Sequence, residues 1–292
     1  MDCTVTKDIP SLPTRRDDAH KGDVGRIAVV GGCAGELMMV GAPSLCANAA
    51  YRAGAGLVQL LVPEPIRGAA AICAPCATVR TLPVDANTLL NALSEFKADV
   101  LAIGPGLGDS LTPDCILECM NGFPGAVVAD ADALNRLSQL GEFSVSRPER
   151  ILLTPHAGEM ERLLNGIGLE LELDRSPSTR RDAAITFVDA IGCTVILKGR
   201  GTVVASPRRY YINETGNAGM ATGGTGDILT GVIAGLVGQK MDPFDAAVLG
   251  VYLHGLAGDF TAEELGRHSL TALDLLEYLP EAFAEHATGH SD

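Results

Sequence analysis

The sequence predicts an α/β fold, a mostly parallel sheet with helices on both faces. Three observations lead there. Short, almost purely apolar runs such as RIAVV (Arg26 to Val30), LVQLLV (Leu57 to Val62) and VLAI (Val100 to Ile103) alternate with helix-length stretches rich in small residues. Several of the runs end in glycine turns: GGCAG, GPGLG, KGRGT. The composition, 47% hydrophobic but only 4% aromatic with 34 Gly, suits close packing of elements and excludes disorder.

Element by element, residues 1 to about 24 read as an irregular or helical lead-in, followed by the strand from Arg26 to Gly32. A small-residue helix over Ala42 to Ala53 precedes the strand Leu57 to Pro63. A helix from Pro65, a short strand in CATVR and a helix over Asn87 to Phe96 come next. DVLAIGPGLG gives a strand and turn, and Pro113 to Asn121 a helix. GAVVADADAL gives a strand with Asp130 and Asp132 at its carboxyl end, where capping and solvation explain the acids better than catalysis does. ILLTPHAGEMERLL reads as strand, loop and helix. CTVILKGRGTVVASP and RRYYINETG read as two or three strands forming a hairpin edge. The last third is helical over Asp227 to Gly238, Pro243 to Thr261 and Thr271 to Phe283. No linker or repeat divides the chain, so one domain over residues 1–292 is expected.

The formal net charge of −14 argues against nucleic acid or an anionic membrane as partner. No uncharged apolar run reaches the ~20 residues of a membrane helix, and the N-terminus carries no apolar leader. Eight cysteines in this setting fit reduced thiols and a cytoplasmic protein. Cys73 and Cys76 with Cys115 and Cys119 imitate zinc spacing, but their apolar context reads as buried thiols.

The chemistry concentrates in four segments. In GNAGMATGGTGDILTG, consecutive glycines let backbone N–H groups converge on one point, and a helix starting near Asp227 adds its free N–H groups and dipole. That is a phosphate cradle of Gly224, Thr225 and Gly226, with Asn217 just ahead of it. Asp227 beside it can take a proton from an attacking hydroxyl; alternatively it caps the helix. The spacing is not that of a Walker A loop. LKGRGT offers Lys198 and a turn that can contact nucleotide, or a plain hairpin turn. LTPHAGEMERLL sets His156, a candidate substrate contact, ahead of Glu159, a candidate holder of metal-bound water or a helix-start acid. His254, on a largely apolar helix, reads as a packing histidine, and Gly231 with Gly235 as a close helix contact.

Taken in order, HKGDVGRIAVVGG, GAPSLCANAAYRAGAGLVQLLVP, AIGPGLG, LTPHAGEMERLL, LKGRGTVV and GNAGMATGGTGDILTGVIAGLVGQ resemble the ADP/ATP-dependent NAD(P)H-hydrate dehydratases over about His20 to Asp259. The resemblance implies a ribokinase-like three-layer α/β/α sandwich. It implies ADP-dependent dehydration of the S-form of hydrated NADH or NADPH (NADHX, NADPHX), by phosphorylation of the hydrate hydroxyl and elimination of phosphate, leaving AMP. It implies Asp227 as base and Ala42, Gly106, His156 and Asp227 as hydrate contacts. Lys198, Gly199, Arg200, Gly201, Thr202 and Gly226 would contact ADP. Mg²⁺ would be the cofactor, with Glu159 as its candidate ligand, ADP (ATP possible) the donor, and a homotetramer the assembly, paired with a separate epimerase. The GGCAGELMMVGAP loop is longer than the family's link between its glycine pairs. Two other functions share the same cradle: a ribokinase-like kinase of a vitamin-precursor alcohol, and a non-catalytic nucleotide-binding regulator.

Overall fold

The structure is a computed structural model that describes residues 3–171, 173 and 176–289. In chain order the elements are β1 (Thr4–Val5), β2 (Arg26–Val30), α1 (Gly41–Arg52), β3 (Leu57–Val62), α2 (Arg67–Cys73), β4 (Thr78–Thr81), α3 (Ala86–Phe96) and β5 (Val100–Ile103). Then follow α4 (Pro113–Gly122), β6 (Ala126–Ala129), α5 (Asp132–Leu137), β7 (Ile151–Leu153), α6 (Ala157–Gly166), α7 (Pro177–Ile191) and β8 (Thr194–Leu197). The last are β9 (Val203–Ser206), β10 (Arg209–Ile212), α8 (Thr225–Gly238), α9 (Pro243–Leu265) and α10 (Ala272–Gly289).

The strands form one ten-stranded sheet in the order β1-β10-β9-β8-β7-β6-β5-β2-β3-β4. From β4 across to β8 every pairing is parallel. β8, β9 and β10 are antiparallel, the expected hairpin edge. Because side chains alternate along a strand, β2 sends Ile27 and Val29 to one face and Ala28 and Val30 to the other. The two sets belong to separate cores. Ile27 and Val29 pack with α1, α2, α8, α9 and α10, while Ala28 and Val30 pack with α3 to α7. The result is a three-layer sandwich with the central strands covered on both faces.

Chain direction across the sheet reverses between β2 and β5, the place where open α/β sheets bind ligands beyond their strand ends. The loops after these two strands meet there. Gly32 N–H donates to Pro105 O at 2.9 Å, and any Cβ on Gly31 would sit 2.3 Å from the same carbonyl oxygen. Glycine is needed because backbone touches backbone.

On one face, α8 lies against α1 with almost nothing between them. A Cβ on Gly231 would meet Cys46 O at 2.1 Å, and one on Gly235 would meet Ala50 O at 2.8 Å. The expected close helix contact of Gly231 and Gly235 is therefore this one.

Three readings need correction. The lead-in contains a strand: β1 pairs in parallel with β10 at the far edge of the sheet. Helix α7 was not foreseen, although Ser176 caps its start ahead of Pro177 and Gly192 ends it in the left-handed region at φ 84°. Cys73 and Cys76 are exposed rather than buried, since α2 turns Ala70 and Ala74 to the core and leaves the thiols outside. Cys115 and Cys119 are buried as expected.

No helix among the described residues is long and apolar enough to cross a membrane.

Candidate active site

Helix α8 begins two residues earlier than the sequence suggests. Gly224, at φ 96°, is its N-cap, and no side chain caps it. A Cβ there would strike Leu45 Cδ1 at 2.7 Å and Ala272 Cβ at 2.9 Å, so glycine is required twice over, by conformation and by space. The first-turn N–H groups, from Thr225 onward, are thus open to an anion at the positive end of a 14-residue helix. The Thr225 hydroxyl turns back to donate to Met220 O and Thr222 O, both at 3.1 Å, closing the glycine loop. Asp227 is not the cap. It stands in the first turn, half-buried.

Lys198 follows β8 and reaches under this helix end. Its Nζ lies 2.5 Å from Asp130 Oδ1 and 4.0 Å from Glu159 Oε2, and a Cβ on Gly226 would be 3.3 Å from the same nitrogen. The other oxygen of Asp130 accepts from the Thr230 hydroxyl at 2.8 Å, one turn along α8 from Asp227. Asp130 is 1% exposed and Thr230 fully buried.

Around this ammonium, burial and neighbouring charges shift the acidities of Asp227, Glu159 and Lys198 itself. Burial, then Asp130, push Asp227 up to about 7, with Lys198 opposing and Asp132 and Glu159 adding to the rise. Burial likewise raises Glu159, against the pull of Lys198 and the His156 N–H. For Lys198, burial favours the neutral amine, but Asp130 and Glu159 outweigh it and hold the ammonium above its usual range.

His156 and Glu159 form a capping box at the start of α6: Glu159 N–H donates to His156 Nδ1 at 3.2 Å and His156 N–H to Glu159 Oε2 at 2.7 Å. Since Nδ1 accepts, Nε2 carries the ring proton, and it lies 3.4 Å from Glu159 Oε1. His156 and Lys198 are also joined by an isolated parallel bridge, with Lys198 N–H donating to Pro155 O at 2.8 Å. The chain thus brings the His156 and Lys198 segments side by side.

Of the other expected residues, Ala42 and Gly106 face each other: a Cβ on Gly106 (φ 60°) would lie 3.1 Å from Ala42 Cβ and 3.0 Å from Met39 Cβ. The long loop therefore returns Ala42 to the switch point. Gly199 (φ 142°) and Gly201 (φ 65°) shape the turn after Lys198. Thr202 ties the turn to itself, donating to Gly199 O at 2.9 Å, and Arg200 is exposed. Asn217 is spent on structure. Its Nδ2 donates to Gly258 O at 2.8 Å and Asp259 Oδ1 at 2.9 Å, and its Oδ1 accepts from Gly219 N–H. His254 is buried as expected; burial lowers it to about 4, so the neutral ring donates Nε2–H to Thr225 O at 2.9 Å.

The sequence reading missed Arg180. From α7 its buried guanidinium donates through Nη2 to Leu197 O at 2.9 Å and Lys198 O at 3.0 Å. A Cβ on Gly199 would meet that guanidinium at 2.7 Å. It also undervalued Asp130. Nothing local in VVADADAL marks an acid whose partners lie 68 and 100 residues downstream.

Residues 27–281 match the family model described as NAD(P)H-hydrate dehydratase. The chain belongs to the NAD(P)H-hydrate dehydratase family. It is 38% identical to the ADP-dependent (S)-NAD(P)H-hydrate dehydratase of Neisseria meningitidis serogroup B, over 86% of this chain and 82% of that protein. It is 42% identical to the bifunctional NAD(P)H-hydrate repair enzyme Nnr of Moorella thermoacetica over 92% of its own length. That match covers 51% of the relative, so the chain spans about half the length of the bifunctional proteins it resembles. Among solved structures, a ribokinase-like superfamily protein from Enterococcus faecalis superposes with TM-score 0.79 at 27% identity, covering 94% of this chain and 92% of that one. The ADP/ATP-dependent NAD(P)H-hydrate dehydratase of Bacillus subtilis, co-crystallised with ATP/Mg²⁺, gives 0.74 at 27% identity, over 94% and 95%. The family's fold is thus the ribokinase-like sandwich expected from the ordered motifs. In this member the cradle of α8, Lys198 and the His156 cap converge on one end of the sheet.

Proposed function

We propose that this chain is an ADP-dependent dehydratase that returns the S-form of hydrated NADH and NADPH to the reduced dinucleotides. The observation that carries it is Asp227, pushed up to about 7, standing in the first turn of an uncapped glycine-led helix beside the Lys198 ammonium. Membership of the dehydratase family supports the substrate.

Hydroxide is a poor leaving group and phosphate a good one, so the reaction divides in two. Asp227 accepts the proton of the hydrate hydroxyl as its oxygen attacks the terminal phosphoryl group of ADP, and AMP leaves. The cradle N–H groups of Thr225 and Gly226 and the Lys198 ammonium meet the charge that gathers on the phosphoryl oxygens. The carbon–oxygen bond of the phosphorylated hydrate then breaks, phosphate departs with the electron pair, and loss of a proton from the neighbouring carbon restores the ring double bond. Ala42, Gly106 and His156 line the hydrate side. Gly199, Arg200, Gly201 and Thr202, with Lys198, line the nucleotide side.

The donor set does not build a resident divalent-cation site. Asp130 and Glu159 already face Lys198, and among the described residues no group of three His, Cys, Asp or Glu stands ready for a metal. Mg²⁺ belongs in this proposal to the nucleotide phosphates, and no step is derived through it. A cytoplasmic homotetramer working with a separate epimerase completes the proposal.

Incubation of the purified protein with ADP, Mg²⁺ and hydrated NADH should restore the reduced-nicotinamide absorbance with one AMP and one phosphate per NADH. Asp227→Asn should lose this by several orders of magnitude and still bind ADP. Failure to consume hydrated NADH or NADPH with either ADP or ATP, alongside stoichiometric phosphorylation of a small alcohol, would make the protein a kinase instead.

A further inference from the structure

The segment Asp130–Ala131–Asp132 touches both sides of the site. Asp130 faces the nucleotide side: both its oxygens are taken, by Lys198 Nζ at 2.5 Å and the Thr230 hydroxyl at 2.8 Å. Asp132 faces the other side. Its Oδ2 accepts the Gly108 N–H at 2.8 Å, and Gly108 O in turn accepts from Arg136 Nη2, one turn along α5, at 3.3 Å. Gly108 closes the GPGLG turn, whose glycines Gly104, Gly106 and Gly108 all have positive φ. Such a turn has little stiffness of its own, so its shape depends on what grips it.

Between the two acids stands Ala131, at φ 50° and ψ −116°. It is one of three non-glycine residues with positive φ among those described. A side chain held there is strained and persists only where the surroundings impose it. The turn has a clear effect. It lets carboxylates two residues apart reach partners on loops that follow different strands, β8 for Lys198 and β5 for Gly108. The strand end is itself fixed, with Asp130 N–H donating to Ile103 O at 3.0 Å and a Cβ on Gly104 reaching Asp130 O at 1.8 Å.

We propose that Asp130 and Asp132 are positioning residues that register the two halves of the site on one strand end: Asp130 sets Lys198 for the nucleotide, and Asp132 sets the GPGLG turn for the hydrated dinucleotide. The inference rests on the division of the site into nucleotide and hydrate sides proposed above. Neither carboxylate touches a reacting atom; each acts through the group it holds.

The test separates the two arms by binding as well as turnover, using ADP and NADPH as probes in calorimetric titrations of the intact protein. Asp132→Ala should weaken NADPH about tenfold, the loss expected for one hydrogen bond that orients a loop, and leave ADP within twofold. Asp132→Asn, which keeps an acceptor oxygen, should recover most of that loss. Asp130→Asn should weaken ADP at least tenfold and leave NADPH within twofold. Should Asp130→Asn not fold, Thr230→Val removes only one of the bonds fixing Asp130 and carries the same direction. Where the protein turns over hydrated NADH, KM for each substrate should divide along the same lines. Equal weakening of both probes in each variant, no change in either, or a crossed pattern would overturn the proposal. Because the titrations need no turnover, a protein that binds both probes but dehydrates nothing would refute the activity and leave the registration measurable.

Discussion

Lys198 Nζ lies 2.5 Å from Asp130 Oδ1 and, on its other side, beside the backbone of Gly226 at the start of α8. One ammonium therefore neutralises a buried carboxylate and faces the anion cradle at the same time. Its removal should cost twice. Lys198→Met leaves the Asp130 charge buried and unpaired, which typically costs about 3–5 kcal/mol. Denaturant unfolding should show that loss, and adding Asp130→Asn should return part of it. Nucleotide affinity should not return in the double variant, because the cradle still lacks its cation.

Asp227 predicts a pH dependence with a defined sign. Its folded pKa of about 7 is above the ordinary aspartate value, so the folded state holds its proton more tightly than the unfolded chain. The stability this contributes is complete below pH ~4 and is lost as pH rises through about 7. Catalysis needs the deprotonated form and should rise over the same interval. The limb of kcat against pH should have its midpoint near 7, and a midpoint near 4 would remove Asp227 as the base. Asp227→Asn should be more stable than the parent at pH 8, with Tm higher by about 2–4 °C for each kcal/mol of charge burial relieved.

Two glycines of α8 should respond in opposite ways to the same substitution. Gly226→Ala improves helix propensity by up to about 1 kcal/mol and meets the end of the Lys198 side chain, Nζ at 3.3 Å and Cε at 3.9 Å. Thermal stability should hold or rise, while the methyl group intrudes on the cradle and raises KM for ADP. Gly231→Ala drives a methyl group to 2.1 Å from Cys46 O and should destabilise the fold by about 1–3 kcal/mol or more. Parallel melting curves and ADP kinetics on the pair check both.

Arg180 should prove a nucleotide-side residue despite its burial. Arg180→Met strips the donors from Leu197 O and Lys198 O and frees Gly199 from the guanidinium it rests on. Each lost bond to a charged donor is worth about 1.5–3 kcal/mol, so Tm should fall. KM for ADP should rise with little change in KM for hydrated NADH; equal rises in both would reduce Arg180 to a general packing role.

How much of this could be read beforehand depended on the range over which each signal acts. The strands and the long helices carry their own periodicity, and the cradle glycines carry their own conformational demand, so β2, β5, α8 and α9 were legible. Helix α7 lacked a clear apolar stripe, and only its Ser176-Pro177 start and Gly192 stop signal it. Asp227 was read as a candidate base or cap at the helix boundary, two residues late, because the left-handed Gly224 that starts α8 leaves no polar cap to mark it. Asn217 could be read as fixing the loop or touching a phosphate, and its amide is engaged with α9 and Gly219. Least legible was Asp130, whose meaning depends on Lys198 and Thr230 arriving from distant segments. No local pattern encodes such a meeting.

The contact between α1 and α8 has a bearing on rate as well as stability. Where Gly231 and Gly235 meet the carbonyls of Cys46 and Ala50, backbone rests on backbone, with no rotamers between to yield. The dipole of α8 is accordingly clamped to the frame before any ligand arrives. Charge moving on to a phosphoryl group at its end would find its compensating field already oriented, and the reorganisation that water must perform during the same transfer would have been completed when the chain folded.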